Sequence, residues 1–129
     1  MKTLTIKEPY ASLIANGIKK IETRSWKTNY RGKIYIHAGL NKGSINNPKI
    51  SHLIKDINFE FGNIICEVEI IDCIYMTEEY INELKNNNYN EYLVGEYKVG
   101  RYAWVLDNAK ILDEKIPVKG KLGLWNYDD

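Results

Sequence analysis

The chain has 129 residues, a formal net charge of +1 at neutral pH, 44% hydrophobic residues and 27% charged residues. These values fit one globular domain spanning residues 1–129 and argue against disorder, collagen or coiled coil. No run approaches the ~18 apolar residues needed to cross a bilayer, and residues 1–9 lack the apolar centre of a signal peptide, so a cytoplasmic location without membrane attachment is expected.

Thr3-Leu4-Thr5-Ile6 predicts a short strand. Pro9 suits the first turn of a helix, and Tyr10, Leu13 and Ile14 recur at helical spacing with Ala11 and Ala15 beside them. Asn16-Gly17 stops that helix after about two turns, glycine supplying the left-handed backbone. Residues 18–24 then extend as a strand, 30–32 turn, and 33–38 form a second strand rich in β-formers. Asn47-Pro48 opens another helix through about Ile57. Residues 63–74 read as a long strand, with Ile65, Glu67, Glu69 and Ile71 on one face and Cys66, Val68, Ile70 and Asp72 on the other. Thr77 caps an acidic helix that ends near Lys85. Residues 101–106 form a strand, Asp107-Asn108 a turn, and 111–116 and 118–122 two short strands, with Pro117 at an edge or bulge. Many short strands with helices between them predict an α+β fold, a small, partly closed β-barrel with helices packed on its outside.

Cys66 and Cys73 are seven residues apart, which places them on opposite faces of a straight strand. They read as reduced thiols in or near the core. His37 and His52 are far apart, and no Cys/His cluster exists, so a structural zinc site is not expected; no other metal site and no cofactor is assigned. His37 ends an alternating strand and is a minor candidate for the site. Trp104 lies in an apolar strand and reads as core, and Trp125 as a packing anchor.

The charge is lopsided. Residues 1–42 carry nine Lys/Arg against two acids, whereas residues 56–96 carry ten acids against Lys85 alone. Either the basic third meets an anionic ligand, or the two halves of the fold attract one another. The near-neutral total argues against a large DNA-coating surface.

The most specific local feature is Gly17-Ile18-Lys19-Lys20-Ile21-Glu22-Thr23-Arg24, of the form G-x-K-x-x-E-x-R. If residues 20–26 are extended, Glu22, Arg24 and Trp26 share one face, with Lys19 at the entry. The spacing of Glu22 and Arg24 is then ~7 Å along the strand. Arg24 can grip a phosphate or carboxylate bidentately. Glu22 can orient its basic neighbours or accept from a base edge, and Trp26 can stack on a base.

These residues, and most of the chain around them, resemble an ASCH domain of the PUA-like superfamily. Leu4 through Ile14 is similar to the family's opening strand and its Q-P-[WY]-A-S-L helix, with Glu8 in place of the usual Gln. Gly17 to Trp26 followed by Arg31-Gly32 resembles the hallmark G-x-K-x-x-E-x-R-S-W…R-G. Ile71-Asp72-Cys73, Tyr102 to Leu106 and Ile116 to Gly120 resemble the later strands. The resemblance implies a PUA-like β-barrel whose cleft, beside the first helix and the hallmark motif, binds nucleic acid, most often RNA. Some members are enzymes. One small bacterial type removes the acetyl group of N4-acetylcytidine with a Lys and a Thr from the same motif. Lys19 matches that Lys, but Glu22 stands in the place of the Thr. Another member is described as a metal-dependent ribonuclease.

Three readings follow. In the first, the chain binds RNA or a modified nucleotide, DNA being a further possibility. Lys19, Arg24, Lys27, Arg31 and Lys33 meet phosphates, Tyr10 and Trp26 stack, and Glu22 and Ser12 read a base edge. In the second it is a small amidohydrolase acting on an acylated nucleoside such as N4-acetylcytidine, with Lys19 and Glu22 as the catalytic pair. In the third it is a protein-interaction module using the acidic surface around Glu78-Glu79-Tyr80. The first accounts for the basic N-terminal third without a tuned nucleophile.

Overall fold

In a computed structural model describing residues 1–128, β1 (Lys2–Ile6) leads through a cis Glu8–Pro9 bond into helix α1 (Tyr10–Ala15). Pro9 is the residue just before the helix rather than within its first turn. The chain continues through β2 (Ile21–Arg24) and β3 (Gly32–Ala38). A 3-10 turn (Pro48–Ile50) runs into α2 (Ser51–Ile54), so the helix expected up to Ile57 is shorter and begins irregularly. β4 (Asn63–Tyr75) precedes α3 (Glu78–Asn87), which Thr77 caps by accepting from the Tyr80 N–H. A further short helix, α4 (Tyr89–Leu93), leads to β5 (Tyr102–Pro117) and β6 (Leu124–Asn126).

The strands form one mixed sheet in the order β2-β5-β4-β3-β1-β6. Only β1 and β3 pair in parallel. The register between β4 and β5 shifts at three places, and each bulge adds local twist and bend. The sheet thereby curls into a half-barrel with β2 and β6 at its two ends. This agrees with the α+β, partly closed barrel expected from the sequence.

The observed strands correct the following local expectations. Asp107-Asn108 is not a turn. Asn108 takes φ 55 with its N–H on the Asp107 carboxylate at 2.8 Å, and β5 runs straight through it as one 16-residue strand from Tyr102 to Pro117. Pro117 closes that strand, and the strand expected at 118–122 is replaced by irregular chain before β6. Cys66 and Cys73 are not on opposite faces. Ile70 pairs with Leu106 and Asp72 with Val105, and Ile71 is the extra residue between them. The bulge therefore returns Cys73 to the side of Cys66, against the same core. Asp72, expected to share a face with Cys66, Val68 and Ile70, is exposed while those three are buried. Both thiols are free, and burial pushes that of Cys66 up to about 12.

Helix α1 is the centre of the packing. Ala11, Ile14 and Ala15 join Leu4, Ile34, Ile36, Val68 and Trp104 against the sheet. Its opposite side, through Leu13, meets Ile50, Ile54 and Val94. A short helix with apolar residues at three- and four-residue spacing thus holds two clusters together. Trp125 is buried as an anchor, and its indole N–H donates to the Thr5 hydroxyl at 3.0 Å. That hydroxyl meets His37 Nδ1, whose ring spends Nε2 on the Val118 carbonyl at 2.6 Å. His37 is buried and its ring nitrogens are taken up in this chain of bonds, which leaves it a structural residue. Among the described residues no helix is long and apolar enough to cross a membrane.

Candidate functional site

Gly17 closes α1 with φ 74, and the N–H groups of Ile18 and Lys19 both turn back onto the Leu13 carbonyl. This reversal aims the Lys19 side chain inward and starts β2, which pairs antiparallel with residues 102–105 of β5. A cleft of about 660 Å³ opens between the start of α1, β2 and the segment Val94-Gly95-Glu96. Lys7, Tyr10, Lys19, Glu22, Thr23, Arg24, Ser25, Trp26 and Arg101 also line it.

Lys19, Glu22 and Arg24 form a chain of charges along its floor. Arg24 Nη2 lies 2.9 Å from Glu22 Oε2 and donates to the Thr5 carbonyl at 3.1 Å. Lys19 Nζ is 3.9 Å from Glu22 Oε1 and donates to the Val94 carbonyl at 2.7 Å. It also sits 5.7 Å from the centre of the Tyr10 ring. The Lys19 side chain is only 1% exposed, against 11% for Glu22 and 23% for Arg24. Glu22 and Arg24 are therefore the members of this chain open to the cleft, and Lys19 supports them from below.

Burial lowers the Lys19 ammonium below the usual lysine range. The Glu22 and Glu91 carboxylates oppose that shift, while Arg24 adds to it. Glu91, on α4, lies behind the floor and is itself pushed up by burial, against the pull of Lys19 and of the Lys20 N–H it accepts at 2.8 Å. Its Oε2, the Tyr97 hydroxyl and Arg24 Nε are buried without a hydrogen-bond partner among the described residues.

The far wall is locked separately. Thr23 Oγ1 accepts from the Glu96 N–H, and Arg101 spans the Thr23 carbonyl, the Glu96 carbonyl and the Glu96 carboxylate, the last at 2.8 Å. Trp26 lies past the end of β2, 39% exposed, with its ring edge-to-face on buried Trp104 at 4.7 Å. The Trp104 indole N–H donates to the Trp26 carbonyl, which fixes the bend.

Of the residues expected at the site, Tyr10, Lys19, Glu22, Arg24 and Trp26 come together in the cleft. Ser12 does not. It is buried on α1, where its N–H and hydroxyl both donate to the Glu8 carboxylate. Arg31 bonds the Thr28 and Tyr30 carbonyls and approaches Asp72 at 3.8 Å. Lys33 pairs with Glu67 across β3 and β4 at 3.4 Å. Lys27 is exposed in the loop after β2 and lies outside the lining. The sequence reading missed Lys7, Thr23, Gly95, Glu96 and Arg101. The last three come from a segment more than 70 positions further along, and only the β2–β5 pairing brings it in.

Comparison with known proteins fits this architecture. The family model for the ASCH domain matches residues 4–115. Activating signal cointegrator 1 of Homo sapiens is 26% identical over 97% of this chain, and its Mus musculus counterpart is 25% identical over the same share. The chain spans only 22% of the length of either relative. Among solved structures, an ASCH protein from Zymomonas mobilis superposes with a TM-score of 0.58 at 16% identity, covering 90% of this chain and 72% of the other. A tyrosine-to-phenylalanine mutant of that protein superposes at 0.55, also at 16% identity, covering 90% and 74%. The chain belongs to the ASCH domain family.

Proposed function

We propose that this ASCH domain binds single-stranded nucleic acid or a nucleotide, RNA before DNA, in the cleft beside α1. The family is associated with RNA binding. The observation that carries the reading is the Glu22–Arg24 pair at 2.9 Å on the floor of a 660 Å³ cleft with Trp26 at its edge. Lys7, Lys19, Arg24 and Arg101 outnumber Glu22 and Glu96 in the lining, so the cleft favours an anion. Arg24 supplies directional donors for a phosphate or base oxygen, and Trp26 an aromatic face for stacking.

The test is anisotropy titration of labelled single-stranded RNA, single-stranded DNA and duplex. Affinity for RNA is expected to fall with added salt and to drop about tenfold or more in Trp26→Ala, since base stacking is worth ~1–3 kcal/mol. Binding unchanged in both Arg24→Ala and Trp26→Ala would overturn the assignment to this cleft.

One observation favours a second reading. A buried lysine lowered below its usual range beside a carboxylate at 3.9 Å suits acid–base work on an acylated nucleoside. With Lys19 enclosed, Glu22 is then the base acting on water and Lys19 the charge that supports it. Release of cytidine from N4-acetylcytidine, lost in Glu22→Gln and Lys19→Ala, tests it.

A further inference from the structure

The reading of the cleft as a nucleic-acid site leaves the base unspecified, and the polar groups on its floor are not neutral towards the choice. Glu22 offers two carboxylate oxygens side by side. Oε2 holds Arg24 Nη2 at 2.9 Å, and Oε1 is 3.9 Å from the Lys19 ammonium. A carboxylate has about four lone-pair sites, so acceptor capacity remains on both oxygens. Beside them Arg24 has spent Nη2 on Glu22 and on the Thr5 carbonyl, and its Nε is buried, which leaves the Nη1 donors of its fork for a ligand. The floor therefore presents a donor followed by two acceptors in a row.

We infer that Glu22 and Arg24 read the Watson–Crick edge of an unpaired guanine, which rests on the proposed nucleic-acid role of this cleft. Guanine alone among the four bases places two adjacent donors, N1–H and the N2 amino group, next to an acceptor, O6. The two donors meet the Glu22 oxygens, and O6 meets Arg24. Adenine and cytosine offer one amino donor beside a bare ring nitrogen, which would face a carboxylate oxygen with lone pair against lone pair. Uracil offers a single N–H flanked by two carbonyls and meets the same repulsion. A buried acceptor left without its donor is penalised more than a formed bond rewards, so the mismatch sets the preference. A duplex hides this edge, which makes the ligand a single strand, a loop or a free nucleotide. The exposed part of Trp26, held against Trp104, offers the purine a surface to stack on.

The experiment titrates the protein with octauridylates carrying one central guanosine, inosine, adenosine or cytidine, each as a ribo- and a deoxyribo-oligomer. Guanosine is expected to bind about tenfold or more tightly than adenosine and cytidine, by the discrimination typical of a bidentate base contact. Inosine, which lacks the N2 amino group, is expected to lose much of that advantage. The comparison needs no variant, so it stands even if substitutions at Glu22 unfold the chain. In Glu22→Gln, with its melting temperature measured alongside, guanosine and inosine are expected to converge. The ribo and deoxyribo arms show which sugar the guanine comes on. Equal affinity for all four bases, abolished by Arg24→Ala, overturns the guanine inference and leaves the cleft reading intact. Binding insensitive to both base and Arg24→Ala overturns the two together.

Discussion

Glu22 and Arg24 stand two positions apart on β2, and the guanidinium closes on the carboxylate at 2.9 Å while also holding the Thr5 carbonyl of β1. The contact joins one end of the open sheet to β1, beside its other end, across the floor of the cleft. The same pair therefore shapes the site and presents its polar groups. Lys19 lies under it and ties it to Val94 on the far wall.

The buried ammonium gives a pH signature. Burial sets the folded value of Lys19 below its unfolded value of about 10.4. Between the two, the unfolded chain binds more protons, so stability rises with pH. The contribution is complete above the unfolded value and is lost as pH falls through the folded one. Comparison with Lys19→Met isolates it, because the other groups titrate in both proteins. Denaturant unfolding from neutral pH to about 10.5 is expected to show the wild type gaining stability relative to the variant as pH rises. A flat or falling difference would contradict the lowered ammonium.

Gly95 tests how tightly the cleft wall is packed. A Cβ there would lie 2.6 Å from Tyr97 Cε2 and 3.2 Å from Thr23 Cγ2. Thr23 is held by the Glu96 N–H and Arg101, and the Tyr97 ring stacks on Tyr92. Gly95→Ala is expected to cost about 1–3 kcal/mol, as overpacking does, and to weaken ligand binding by shifting the wall. Thermal unfolding and the RNA titration check the two effects.

Glu8 gives a prediction away from the cleft. Its fully buried carboxylate accepts from the Ser12 N–H, the Ser12 hydroxyl and the Glu60 N–H. A glutamine has one oxygen and one amino group at its end, so either the Ser12 or the Glu60 N–H would face a donor. Glu8→Gln is expected to destabilise by about 1–3 kcal/mol, the cost of an unpaired buried group, with RNA affinity unchanged. Urea unfolding with no loss would show that the site accommodates the amide.

Much of this was legible in the sequence because it is local. The i, i+2 spacing of Glu22 and Arg24 brings them together once β2 extends, and Gly17 marks the turn that precedes them. Trp26 reached the cleft by another route, since β2 ends at Arg24 and a bend held by Trp104 carries the ring in. The basic count of residues 1–42 was a poor guide. Arg31 and Lys33 face Asp72 and Glu67 on β4, so part of the asymmetry is attraction between halves of the fold. Glu91 sits in the acidic stretch yet is buried behind the floor, which only the docking of α4 reveals. The bulges at Ile71 and Asn108 leave no periodic mark, yet one decides where Cys73 points and the other lets β5 run on past Asp107-Asn108.

The most direct test is to follow the backbone and indole N–H resonances of the isotopically labelled protein by NMR as single-stranded RNA is added. The cleft account expects shifts at the Trp26 indole and the N–H groups of Thr23, Arg24, Gly95 and Glu96, with the Trp125 indole unmoved. Shifts gathered instead on Lys110, Lys115, Lys119 and Lys121, with residues 23–26 unchanged, would contradict it.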